Sequence, residues 1–202
     1  IDYPMASIRF HKFAIEGMQD IQKQTEKSKA FYFPYVEEKR GVADKLLIEL
    51  AKNAAVVITD DYPTYFVPQM TAEAKGSIQT TYELVDSNGL LPIRIAEKEY
   101  VRAHDFRRFM HKNIEDFLVE VPEKDPLEYL NLKFDEKLLE PIFKKYDLID
   151  FNQINTQDFL NNLNVDKSVE VSDVVGGYNA AKSRLDLFAK KGFNDYSKLR
   201  SH

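Results

Sequence analysis

Cysteine is absent from all 202 residues, which excludes a disulfide framework, a thiol nucleophile and any thiolate metal site. Tryptophan is absent as well, and glycine is held to seven residues, about half of ordinary usage. That scarcity argues against glycine-rich phosphate loops, and no GxxxxGK[ST], GxGxxG or GxSxG pattern occurs. No apolar run approaches the roughly 18 residues that span a bilayer. Without cysteine or a secretory signal, the expectation is a reducing, cytoplasmic compartment and no membrane partner. The formal charge of −5 excludes an electrostatic nucleic-acid binder built from the whole chain. A local basic patch can still touch phosphate.

What the chain does contain is enough apolar content for a core: hydrophobic residues make up 44%, against 30% charged, too many for a disordered chain. It opens on Ile1-Asp2-Tyr3-Pro4, as though entering in the middle of a fold. Ser7 then reads as an N-cap, and 7–27 as an amphipathic helix with Phe10, Phe13, Ala14, Met18 and Ile21 on one face. Phe31-Tyr32-Phe33, closed by Pro34, reads as a short buried strand. Val42, Leu46, Leu47 and Leu50 follow at helical spacing after a turn at Gly41. Ala54 to Thr59 is a β-branched run ending in Asp60-Asp61, suited to a strand covered on both faces. A helix over 65–75 and the strand Thr81–Val85 complete a rhythm of about 25 residues per strand and helix. This is the βαβ pattern of a Rossmann-like α/β parallel sheet with flanking helices.

Beyond Arg94 the composition shifts. Residues 100–120 read as a helix with Phe106, Phe109, Met110 and Phe117 on one side, and 122–126 as a linker. Residues 127–170 read as an irregular connector draped over a surface, with short helices at 135–146 and 156–163. A final helix follows Gly176-Gly177. Between Lys182 and Arg200 six Lys/Arg oppose two Asp, with Phe188, Phe193 and Tyr196 interleaved. That stretch fits either contact with a phosphate backbone or flavin diphosphate, or a solvated face with an aromatic docking edge. The expected organisation is a partial α/β domain over 1–95, a connector over 96–175 and the start of a helical domain over 176–202.

Ligands of open parallel sheets bind beyond the carboxyl ends of the strands. Asp60, Asp61, Asp86 and Asn88 lie there: the paired Asp60 and Asp61 could bind a metal, hydrogen-bond a ribose or orient a base, and Asp86 with Asn88 could contact a ligand. Alternatively, one aspartate caps the next helix, the other is solvated, and Asp86-Ser87-Asn88-Gly89 is turn chemistry. His104 and His111 are seven apart and lack the i, i+4 spacing of a helical metal pair. His11 with Ser7 lacks the carboxylate of a triad, and His202 has no partner signal. No catalytic or metal constellation stands by itself in this sequence.

Two stretches resemble the DNA photolyase/cryptochrome family. Gly176-Gly177-x-x-Ala180-x-x-x-Arg184-Leu185-x-x-Phe188, continuing to Asp195-Tyr196-x-x-x-Arg200, is similar to the segment joining that family's N-terminal α/β domain to its helical FAD domain. The order from helix 7–27 through Val56-Val57-Ile58-Thr59-Asp60 to Leu84-Val85-Asp86-x-Asn88-x-Leu90-x-Pro92 resembles the latter half of the antenna domain. The resemblance implies FAD and an antenna chromophore of unknown kind in an intact parent, damaged DNA as its partner, and light-driven splitting of pyrimidine dimers. By position, Tyr196 matches a tyrosine contacting FAD and Arg200 a neighbouring arginine. The chain departs from the family in having no strand before Ile1, no helical domain after His202 and no tryptophan. The piece alone is therefore expected to be inactive, with open sheet edges that invite homo-oligomers. A non-catalytic Rossmann-like nucleotide- or partner-binding module is the competing reading.

Overall fold

A computed structural model describes residues 6–37, 41–119, 121–131 and 135–200. The opening Ile1-Asp2-Tyr3-Pro4 and His202 lie outside the described residues. In chain order the regular elements are α1 (Ile8–Thr25), α2 (Val42–Ala51), β1 (Val56–Asp60), α3 (Val67–Ser77), β2 (Thr81–Val85), α4 (Ala103–Asn113), α5 (Glu140–Phe143), α6 (Thr156–Asn162), α7 (Tyr178–Leu187) and α8 (Tyr196–Leu199). They form two compact units, one of residues 1–42 with 126–202 and the other of residues 43–125.

The first unit holds most of the core. Ile8 and Ile15 of α1 pack with Phe151, Leu160 and Leu163, and Met18, Val36, Ile149 and Phe159 close around them. The buried stripe of α1 is therefore the row through Ile8, Ile15 and Met18. The face read from the sequence shares only Met18 with that row: its Phe10, Phe13 and Ile21 are 57%, 52% and 44% exposed. The helix carries apolar residues on two faces, and only its packing partners select between them. Those partners come from the stretch expected to be a surface connector. Of the ten buried hydrophobic residues described, six lie between 127 and 170: Leu139, Ile142, Tyr146, Phe151, Leu160 and Leu163. Polar ties reinforce the packing. Gln22 donates to Asp150 at 2.9 Å and accepts from the Phe151 amide at 3.1 Å, and Asn152 donates to Glu26 at 2.8 Å. Asn155 caps α6 by accepting from the amides of Gln157 and Asp158.

Two local expectations change here. Ser7 occupies the N-cap position of α1 but makes no side-chain cap; its backbone instead bridges to Asp166, whose carbonyl accepts from Ile8 N at 2.8 Å. Phe31-Tyr32-Phe33 belongs to no strand. Its rings serve as packing surface: Phe31 and Phe33 lie 5.5 and 5.8 Å from the Phe143 ring. A backbone without a ladder partner remains irregular however strong its β-propensity.

In the second unit β1 and β2 pair in parallel, Val56 opposite Thr81 through Asp60 opposite Val85, with α3 as the crossover. This is one βαβ unit, a mixed helix and sheet architecture compatible with the α/β class. The sheet of the described residues has two strands where three were expected. Nor is it covered on both faces: Ile58 is 60% and Val85 50% exposed, and among the described residues of this unit only Leu46 and Ala51 are buried hydrophobics. Thr80 fixes the start of β2 by donating to the Ala51 carbonyl at 2.6 Å. The expected helix over 100–120 is shorter, with α4 passing into a 3-10 turn at Ile114–Phe117. Tyr100 closes over Phe106 and Phe109 at 5.5 and 5.3 Å. No helix among the described residues is long and apolar enough to cross a membrane.

Candidate functional site

Parallel pairing brings the carboxyl ends of β1 and β2 side by side, and with them all four strand-end residues singled out in the sequence. Asp60 and Asp61 leave β1 and meet Asp86, Ser87 and Asn88 leaving β2. The Asp61 amide donates to the Val85 carbonyl at 2.8 Å, extending the ladder by one bond. Asn88 reaches across to donate to the Asp61 carbonyl at 2.8 Å. Ser87 donates its hydroxyl to Asp60 at 2.5 Å. Asp86 accepts from the Ile93 amide at 2.7 Å and from both the amide and side chain of Asn88 at 3.1 Å.

Neither Asp60 nor Asp61 caps α3, whose N-cap is Phe66 with no side-chain bond. Asp61 instead takes a forked ion pair from Arg94, with the guanidinium Nε on one carboxylate oxygen and Nη2 on the other at 2.7 Å. Such planar two-point pairing is the strongest geometry open to a carboxylate. Arg94 escaped the sequence reading because 33 residues separate it from Asp61. The available signal was its isolation, for it is the only Lys or Arg between Lys75 and Lys98.

These bonds set the charge state of the site. Arg94, by hydrogen bond and then by charge, holds the Asp61 carboxyl below its ordinary 3.8. Asp86 is lowered mainly by the Ile93 amide and then by Asn88. A carboxyl whose folded-state pKa is depressed stabilises the fold above the unfolded value and loses that contribution as pH falls through the folded value. The strand-end network is thus expected to hold at neutral pH and weaken below about pH 5, progressively through the carboxylate range. Thermal unfolding followed across that range should show the acid-side decline shallower in Asp61→Asn than in the unmodified chain. Equal slopes would mean that the pair contributes nothing.

Beside the network is a cleft of about 380 Å³, walled by Tyr62, Pro68 and Leu84, with Asp61, Lys75, Asp86 and Arg94 as its charged lining. Its groups suit binding, since no nucleophile stands paired with a base there. Of the described histidines, His104 and His111 lie along α4, and His11 Nδ1 sits 2.9 Å from the Ser7 carbonyl. No cluster of three or more metal-ligating side chains occurs among the described residues.

Tyr196 and Arg200 belong to the first unit. They share a turn, the Arg200 amide donating to the Tyr196 carbonyl at 2.9 Å. The Tyr196 ring meets Phe188 edge-on at 5.7 Å, and Phe188 meets Phe193 at 6.1 Å. Tyr196 remains 52% and Phe193 65% exposed, so this is an open aromatic edge among basic residues.

No family model matches the chain. It is similar to a protein named deoxyribodipyrimidine photo-lyase from the archaeon Methanothermobacter thermautotrophicus, at 23% identity over 201 residues, or 99% of this chain. The chain spans 40% of that protein's length.

Proposed function

We propose that this chain is the α/β and connector part of a photolyase-related flavoprotein. The observation that carries the reading is a similarity running through 99% of the chain rather than through one motif. On this reading residues 1–95 correspond to an antenna-type domain, 96–175 to the connector and 176–202 to the opening of the FAD-binding helical domain. Light-driven repair of DNA, FAD, an antenna pigment and a cytoplasmic location belong to the intact protein. The competing module would need free carboxylates at the strand ends, whereas Asp60, Asp61 and Asp86 are engaged by Ser87, Arg94 and Ile93. The reading frame around the chain tests the proposal directly. A downstream helical segment rich in Trp, Arg and Asn supports it, and an immediate stop codon opposes it.

The proposal also predicts what the 202 residues do by themselves. Tyr196 and Arg200 supply a hydroxyl and a guanidinium suited to a diphosphate. A flavin dinucleotide needs most of its surface enclosed, and one open edge does not enclose it. The purified chain is expected to be colourless and to show no micromolar affinity in an FAD titration. Flavin absorbance, with binding abolished by Tyr196→Ala, would place a far more complete site in this piece.

A two-stranded sheet with exposed Ile58 and Val85 has edges that template further pairing. Concentration-dependent self-association is expected in light scattering, reduced by Ile58→Lys. A monodisperse monomer at every concentration would refute it.

A further inference from the structure

Residues 43–125, the second unit, hold fifteen Asp and Glu against ten Lys and Arg. Within this acidic unit α4 runs the other way: it carries Arg107, Arg108 and Lys112 with His104 and His111, and its sole acidic residue is Asp105. At 3.6 residues per turn those five side chains fill one arc of the helix, and Phe106, Phe109 and Met110 fill the opposite one. All five are exposed, whereas Phe109 and Met110 are half-buried. Exposure is the ordinary state of a charged residue, so it is the lack of pairing that sets this face apart. Among the described residues Arg107, Arg108, His111 and Lys112 make no ion pair or side-chain hydrogen bond, and His104 meets only Asp105, at 3.4 Å. Like charges one turn apart, such as Arg108 and Lys112, cost a helix stability when nothing answers them.

We infer that this face of α4 binds a phosphodiester backbone, with Arg107, Arg108 and Lys112 donating to successive phosphates of one nucleic-acid strand. From His104 to Lys112 the stripe extends about 12 Å along the helix axis. That length matches roughly three to four phosphates at about 3.4 Å of duplex axis each. The guanidinium forks of Arg107 and Arg108 fit phosphate oxygens two at a time. The opposite side of the helix decides against a lipid surface. An interfacial helix lays its apolar face into the bilayer, and here Tyr100 closes over Phe106 and Phe109. Contact is with the backbone alone, so neither sequence nor lesion is read and binding needs neither light nor flavin. The inference does not rest on the photolyase reading, which stands or falls with the reading frame.

Fluorescence anisotropy of the 202-residue chain, kept in the dark with labelled, undamaged duplexes of DNA and of RNA, tests this. At least one duplex is expected to bind with a Kd of about 100 μM or tighter at 50 mM salt, and log K should fall against log salt with a slope of about −2.7. The tighter duplex names the source of the backbone. The double variant Arg107→Gln/Arg108→Gln should melt with the parent, lose about 2 from the slope and bind at least about tenfold more weakly at 50 mM salt. Lys45→Gln, an exposed change on α2, should leave both quantities unchanged. Absence of saturation for both duplexes at 1 mM protein overturns the proposal. So does binding that survives the α4 variant but is lost in Lys190→Gln/Lys191→Gln, which would put the contact on the basic stretch of the first unit. Phosphatidylserine vesicles or polyglutamate bound as tightly as the duplexes, and lost in the α4 variant, would make this a membrane or acidic-protein face and overturn it equally.

Discussion

Gly176→Ala is expected to destabilise the first unit by about 3 kcal/mol, at the upper end of overpacking costs. A Cβ at this position would sit 2.1 Å from the Phe13 carbonyl oxygen and 2.9 Å from its carbon. Both atoms belong to the backbone of α1, so no rotamer change relieves the clash. The approach is close because the entry to α7 is bonded onto α1: the Gly176 amide donates to Glu16 at 2.9 Å, and Asp20 accepts from the Asn179 amide at 2.8 Å. Gly177 adds a left-handed φ of 100° and would drive a Cβ to 2.8 Å from that of Asp20, so its alanine variant should also lose stability. Gly76 is the control, with nothing within 4 Å of its would-be Cβ in α3. Gly76→Ala should be neutral or slightly stabilising. In urea the Gly176→Ala midpoint should fall by about 1 M or more. A midpoint within experimental error of the parent would show that α7 does not dock on α1 at this distance.

The second large effect is expected at Leu160, the most completely buried large side chain among the described residues, at 1% exposure. Leu160→Ala should cost about 3–4 kcal/mol, the transfer term plus the cavity left among Ile8, Ile15, Phe151 and Leu163. The comparison with Leu138→Ala is decisive, since both residues come from the same stretch read as a surface connector. Leu138 is 54% exposed, and its truncation should fall within about 0.5 kcal/mol of zero. Were 127–170 a drape over a finished surface, both variants would be mild. A large loss for Leu160 alone establishes that α1 has no covered face until α6 and its neighbours arrive.

Elements whose signals are local were legible from their own residues. β1 and β2 were legible in Val56-Val57-Ile58-Thr59 and Thr81–Val85, and the single helix between them, α3, in the strand–helix rhythm. Their parallel pairing followed from the helix-length crossover, because strands so connected have little other option. The strand-end meeting of Asp60, Asp61, Asp86 and Asn88 followed in turn from that pairing. The start of α7 after Gly176-Gly177 was legible for the same local reason.

Tertiary structure alone decided the rest, and each case turns on contacts between residues distant in sequence. Periodicity placed α1 correctly but offered two apolar faces, and only Phe151, Leu160 and Leu163, more than 130 positions away, select the one through Ile8 and Ile15. The stretch 127–170 looked like a connector because its apolar residues fall in short turns, where no long period can register, although six of them are buried. Phe31-Tyr32-Phe33 has the composition of a strand and lacks a ladder, since strand formation needs a second backbone that composition does not supply. Arg94 became the partner of Asp61 through a fold-back over 33 residues. Local propensity is written residue by residue, whereas the choice of a helix face, a ladder or an ion pair is settled by which distant surfaces the folded chain brings within contact.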